Sequence, residues 1–261
     1  MKNIIYLIEF IFIKILFLIF SLIGYKNSSN FGSLIGKLIG PFFRSKSLII
    51  KNLRQAQISN KDNLEKISTN VLSNYGRIFS EYVYLKDFRN DKLKKYISIE
   101  GTEYLDEIKK KNKKVVFISG HFNNFELMAM NLEKFGINVA AIYRPLNNKY
   151  LNKTMEEIRK NFICKKQIKK GRSGTRELIK NFNKGSSVAL MIDQRVREGI
   201  DINFFYKHAS TTTIPAQLSI KYNCEIVPIY IERQNKIFFK MFVSKPILFD
   251  KNESVEEITL K

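Results

Sequence analysis

Hydrophobic and polar positions divide this chain into segments of three kinds. The first is a near-continuous apolar run. From Ile4 to Ile23 only Glu9, Lys14 and Ser21 are neither apolar nor aromatic. A helix of that length matches a hydrocarbon core of roughly 30 Å. The run is too long for a signal-peptide core, is preceded by a single Lys2, and is followed by no A-x-A-like site. Glu9 and Lys14 interrupt a clean span, and could pair or leave the helix tilted or at the interface. The run is read as a membrane anchor, spanning or steeply inserted.

The second kind repeats every three to four residues. Leu64, Ile67, Val71, Leu72, Tyr75, Ile78, Phe79, Tyr82 and Val83 predict helix from Asn60 to Phe88. Shorter helices are predicted over Tyr104–Lys110, Asn123–Lys134, Tyr150–Phe162, Thr175–Asn183 and Thr213–Tyr222. Phe31 to Phe43 carries small residues at helical spacing and ends at Gly40-Pro41. It suits a second membrane-surface element or a helix packed on the body.

The third kind is short and apolar: Tyr96–Gly101, Val115–Ile118, Ile137–Tyr143, Ser187–Ile192, Glu225–Glu232 and Ile237–Val243. These read as strands, the last two as a hairpin, with a turn or bulge expected at Pro228. Strands alternating with helices predict an α/β fold with a mainly parallel central sheet. In such sheets chemistry gathers beyond the carboxyl ends of the strands. His121, Arg144 and Asp193 all follow strand ends, so they are expected at one edge.

Charge sharpens this picture. The sequence holds 45 Lys plus Arg against 24 Asp plus Glu, a net charge of 45 − 24 = +21. The excess suits an anionic partner, whether an acidic membrane face, phosphorylated substrates or nucleic acid. Lys26, Lys37, Arg44, Lys46, Lys51 and Arg54 follow the apolar run, which places the remainder on the cytoplasmic side. Cys164 and Cys224 form no C-x-x-C pattern and imply no disulfide framework.

The candidate chemistry lies at Ser119-Gly120-His121-Phe122-Asn123-Asn124-Phe125-Glu126. The only other histidine is His208, so imidazole chemistry falls to His121. The turn before the helix can fold its ring back to meet Glu126, and a carboxylate on one ring nitrogen makes the other a better base. A histidine at a strand end can equally be a hydrogen-bonded structural residue. The H-E-x-x-H spacing of a zinc site is absent.

Ser119–Met128 resembles the His-x4-Asp/Glu signature of glycerolipid-type acyltransferases. It is closer to the Gly-His-x-x-Asn-x-Glu form of the bacterial lipid A biosynthesis (late, lauroyl/myristoyl) acyltransferase family. Tyr143-Arg144-Pro145, Gly171-Arg172-Ser173-Gly174, Asp193-Gln194 through Gly199 with Phe204-Phe205, and Thr213–Ala216 resemble further blocks of that family. Phe125 stands where the family often has tryptophan, and the chain stops before a further basic, aromatic helix usual there.

The resemblance implies a membrane anchor over residues 1–25 and an acyltransferase domain over 26–261. It implies transfer of a fatty acyl group from an acyl-carrier-protein thioester to a hydroxyl of a membrane-embedded anionic lipid acceptor, with no cofactor, metal or nucleic acid. The leading acceptor is a lipid A precursor of lipopolysaccharide biosynthesis at the bacterial inner membrane. His121 would be the base and Glu126 its orienter. Asn123, Asn124, Arg144, Arg172, Asp193, Gln194, Arg195, Phe204, Phe205 and Thr213 would serve substrate binding. Phe204 and Phe205 either line an acyl groove or plug the core, and the turn at Arg172 is either an anion seat or an ordinary cap. The competing classes are a hydrolase using the same pair on a thioester, and a non-enzymatic basic protein binding anionic lipid or nucleic acid. Another lyso- or hydroxyacyl-lipid acceptor also fits.

Overall fold

Val116–Ser119 (β2) is the axis of the molecule. Its side chains alternate, with Phe117 buried in one apolar cluster and Val116 in another. A strand buried on both faces needs a layer on each side, and the chain supplies one. The computed structural model describes residues 2–57, 61–250 and 252–261, with the side chains of Lys61, Asp62 and Arg172 outside that description.

Seven strands form the central sheet, in the order β1-β9-β8-β2-β5-β3-β4. They are Ile97–Glu100 (β1), β2, Val139–Tyr143 (β3), Lys166–Lys169 (β4), Ser187–Met191 (β5), Ile226–Gln234 (β8) and Phe238–Val243 (β9). β8, β2, β5, β3 and β4 run parallel; only β8 and β9 pair antiparallel, through the expected hairpin. The short Ile200–Phe204 (β6) and Lys207–Thr211 (β7) stand apart as a second hairpin.

Pro228 sits within β8 without ending it. Its partner in β2 is Ile118, the last position of that pairing, and antiparallel pairing with β9 takes over at Ile229. The residue lacking an N–H thus lies where β8 changes neighbours, so no central ladder bond is lost.

The helices are Lys2–Leu22 (α1), Tyr25–Phe43 (α2), Lys46–Gln55 (α3), Lys61–Glu81 (α4), Leu85–Arg89 (α5), Thr102–Lys110 (α6), Glu126–Phe135 (α7), Lys149–Ile158 (α8), Arg172–Asn183 (α9), Ile214–Tyr222 (α10) and Val255–Leu260 (α11). One face of the sheet packs on residues from α5, α6 and α7, including Leu85, Leu105 and Leu127. The other packs on α9, α10 and α11 through Phe182, Leu218 and Ile258.

The helix expected over Asn60–Phe88 is divided: α4 passes into a 3₁₀ turn at Tyr82–Tyr84 and then α5. That turn aims Tyr82 at the start of α7. Phe31–Phe43 is part of α2, a helix packed on the body, whose Gly32 and Gly36 lie against Gly76 of α4. α1 is long and apolar enough to cross a membrane.

Candidate active site

Parallel pairing brings the strand ends together. Ser119 of β2 lies opposite Met191 of β5, so the residues that follow each strand leave the sheet side by side. β3 joins the same edge through pairing with β5, which delivers Arg144 there, exposed. The shared edge expected for His121, Arg144 and Asp193 is present.

At that edge Asp193 holds His121 twice. Oδ1 lies 2.8 Å from His121 Nδ1, and Oδ2 accepts the His121 backbone N–H at 2.8 Å. Partial burial pushes the Asp193 carboxyl upward, but the His121 side-chain and backbone hydrogen bonds outweigh it and hold the group below the usual carboxylate value. An ionised Asp193 only accepts, so Nδ1 carries the proton and Nε2 is left as the basic nitrogen. Phe125 meets the ring edge-on, with centroids 4.8 Å apart. Gly120 leaves the room for this: a Cβ there would crowd the Phe122 ring and Asp193 Oδ2.

Glu126, expected to meet the His121 ring, points elsewhere. It opens α7 and turns inward, accepting from the Tyr82 hydroxyl and from Arg159 Nε and Nη2 at 3.1 and 2.8 Å. Arg159 also donates to the Tyr82 hydroxyl at 3.1 Å. The Glu126 and Arg159 side chains are only 9% and 13% exposed. Burial alone would lower the Arg159 pKa, but Glu126 and Tyr82 raise it, and burial raises that of Tyr82. The physical reason for the difference is a nearer cation. A buried carboxylate needs a charged partner, and Arg159 supplies one that a neutral imidazole cannot.

Asn123 and Asn124 hold the loop between His121 and Glu126. Asn123 adopts a left-handed φ of 44° and donates from Nδ2 to the Ile231 carbonyl at 3.0 Å. Asn124 is buried and donates to Glu81 Oε2 at 2.9 Å. Glu81 is itself fully buried and is bracketed by Arg233 at 2.5 and 3.0 Å and Ser29 at 2.7 Å. Both asparagine side chains therefore face the scaffold, and what the loop presents to the edge is backbone.

The other residues singled out from sequence sit further out. Gln194 and Arg195 are exposed, and Arg195 lines a shallow depression with Arg197, Asp201 and Ser210. Phe204 and Phe205 neither plug the core nor lie in a closed groove: they are 58% and 52% exposed at the tip of the β6–β7 hairpin. Phe205 and Tyr206 have φ of 47° and 64°, the turn geometry of a tight hairpin. Thr213 precedes α10, its hydroxyl accepting from Gln217 Nε2 at 3.0 Å. The side chain of Arg172 lies outside the described residues; its backbone opens α9. Among the described residues no three His, Cys, Asp or Glu side chains gather as a metal site.

Tyr82 and Arg159 were not foreseen. Tyr82 looks like one more apolar position in a helical repeat, and Arg159 lies in a π turn, Arg159–Ile163, that periodicity does not reveal.

The edge thus carries a histidine bonded to a carboxylate through one ring nitrogen, with the other ring nitrogen unbonded. The family model of bacterial lipid A biosynthesis acyltransferases matches residues 1–261. The chain belongs to this family. It is thereby an acyltransferase of lipid A, and so of lipopolysaccharide, biosynthesis, and its apolar α1 is consistent with membrane association. Among curated proteins, none matches the chain. In this lipid A acyltransferase family member, Asp193, the unbonded Nε2 of His121 and the exposed Arg144 share one edge of the sheet.

Proposed function

We propose that this acyltransferase moves a fatty acyl group from an acyl-carrier-protein thioester to a free hydroxyl of a lipid A precursor, on the cytoplasmic side of the inner membrane. The observation that carries the reading is the His121–Asp193 pair, which leaves Nε2 as a base at an open sheet edge. His121 Nε2 takes the proton of the acceptor hydroxyl as its oxygen attacks the thioester carbonyl. Asp193 stabilises the imidazolium that forms. The tetrahedral intermediate expels the thiolate, which takes the proton back from His121 and leaves as the carrier's thiol. No acyl-enzyme is formed.

Glu126 supports this chemistry by position. Its bonds to Tyr82 and Arg159 fix the first turn of α7, and with it the loop that carries His121. Developing negative charge would be met by backbone N–H groups near Asn123 and Asn124, ahead of the α7 N-terminus, or by Arg144. Arg144 and Arg195 supply guanidinium forks for acceptor phosphates. The net charge of +21 supports an anionic acceptor and an acidic donor protein.

The test is product mass. Purified protein in detergent, given an acyl-carrier-protein thioester and tetraacylated lipid A precursor, is expected to add one acyl chain, and His121→Ala to add none. Near-normal transfer by folded His121→Ala overturns the assigned base. Thioester consumption without acylated lipid by the wild type overturns transfer in favour of hydrolysis.

A further inference from the structure

α1 has two opposite faces. Tyr6, Phe10, Ile13, Phe17 and Phe20 are partly or fully buried against the body. Ile4, Ile8, Ile11, Ile15, Leu18 and Leu22 are 49–76% exposed. At about 100° per residue the two rows are centred about 160° apart.

The docked row is held along most of its length. Asn148 Nδ2, just before α8, donates to the Tyr6 carbonyl at 2.8 Å and to Glu9 Oε2 at 2.9 Å. Phe10 packs on Tyr150 at 6.0 Å and Phe17 on Phe79 at 5.2 Å between ring centroids. At the far end the Tyr84 hydroxyl donates to the Phe20 carbonyl at 2.5 Å. From Tyr6 to Phe20 this is about 21 Å of helix at 1.5 Å per residue.

A hydrocarbon core is only about 30 Å thick. If α1 crossed it, some two-thirds of the crossing would drag the attached body inside. Exposed Arg144, Lys149 and Lys153 flank the Asn148 clamp and would enter with it. Charged side chains are strongly disfavoured there. A helix apolar on its outer face and bordered by Lys2 and Lys14 fits an anionic interface instead. This explains Glu9: it is neither buried in lipid nor paired with Lys14, but bonded to Asn148.

We infer that α1 lies in the plane of an anionic membrane surface, docked on the body by one face and sunk into the headgroup–acyl boundary by the other. Both ends of α1 are then on the side of the catalytic body. Asn148 follows Arg144 closely in sequence, so the clamp holds the membrane surface beside the strand edge where a lipid acceptor would be met. The inference rests on the docking geometry and stands whether or not the proposed donor and acceptor are right.

The sequence has no tryptophan, so Ile4→Trp, Ile11→Trp and Leu18→Trp in the full chain each give one reporter at an exposed position. Each is reconstituted in phosphatidylglycerol–phosphatidylethanolamine vesicles brominated at defined acyl depths, and fluorescence quenching is read. Three matching profiles are expected, all strongest with the shallowest bromine, as for a helix about 5–10 Å deep. A profile in which Ile11→Trp lies at the midplane and the other two near the surfaces overturns the inference. So does absence of quenching at all three with a dimer in sedimentation, because a second copy then covers the face. A chain carrying no tryptophan substitution but a protease site added ahead of Met1 gives an independent reading: that site is expected to be cut from the side on which the body is cut, and protection from that side overturns the inference.

Discussion

Asp193 grips His121 by ring and backbone at once, with both oxygens 2.8 Å from their partners. A carboxylate so placed fixes the ring, selects the tautomer and favours the imidazolium that forms when the base takes a proton. Asp193→Asn keeps the shape and removes the charge. The expected result is a fall in kcat of about 10²–10⁴-fold with little change in KM, the range associated with a positioned acid–base group. Initial rates of lipid acylation check it. A change in KM alone would make Asp193 a binding residue.

The same bonds give a pH signature. Asp193 titrates below the ordinary carboxylate value in the folded state. A depressed folded pKa means stability that is present above the unfolded pKa and is lost as pH falls through the folded one. The Asp193 carboxyl should therefore titrate by carbon-detected NMR below about 3.9, the value of an unperturbed aspartate. His121→Ala removes the leading depressing contact, and the midpoint is expected to rise. An unchanged midpoint would mean that the ring does not bond Asp193 in solution.

Glu126 and Arg159 form the buried pair under the loop. Removing one partner strands the other's charge, which costs about 3–5 kcal/mol, whereas removing both is much milder. Glu126→Ala and Arg159→Ala are each expected to lower stability by that order, and the double variant by less than the sum. Chemical denaturation of the four proteins in detergent checks the cycle. Additive losses would show that the two side chains are not coupled.

Much of this architecture is written locally in the chain. The Val115–Ile118 run, the break at Ser119-Gly120 and the stop at Gly136 locate a strand, a turn and a helix without any tertiary information, and they place His121 at the edge where it stands. The partner of that histidine is another matter. Asp193 lies far along the chain, and only the register Ser119↔Met191 makes them neighbours. Sequence proximity favours Glu126, but a buried arginine from a π turn captures it. β4 is short and rich in lysine, Lys166–Lys169, and carries no strand pattern; it is an edge strand that β3 pairs into place. The apolar row of α1 was legible as a membrane element, but its clamp to Asn148 was not, because a single asparagine after Arg144-Pro145 carries no such signal.

Cys164 and Cys224 are buried and free, and burial pushes each thiol up to about 11. The thiolate is the reactive form, so at neutral pH it is a minute fraction and is also shielded from reagent. Native protein is expected to take up no maleimide at pH 7 within minutes, and two equivalents once unfolded in guanidinium. Rapid labelling of the native chain would place at least one of the two at the surface.

Gly32 and Gly36 of α2 meet Gly76 of α4 so closely that the helices touch backbone to backbone. A Cβ on Gly76 would strike the Gly32 carbonyl and the Gly36 backbone, neither of which can yield as a flexible side chain does. The contact also aligns Ser29 with Glu81, and Glu81 in turn holds Asn124 beside His121. Gly76→Ala therefore has to push α2 away from α4. Overpacking of this kind costs about 1–3 kcal/mol, occasionally more, and here it also loosens the anchor of the loop. The expected outcome is a lower Tm together with a loss of acylation rate larger than the fraction unfolded explains. An exposed control such as Tyr75→Ala, one residue away, lacks the backbone collision and should lose neither. Equal effects of the two substitutions would show that the helix seam does not transmit to the site.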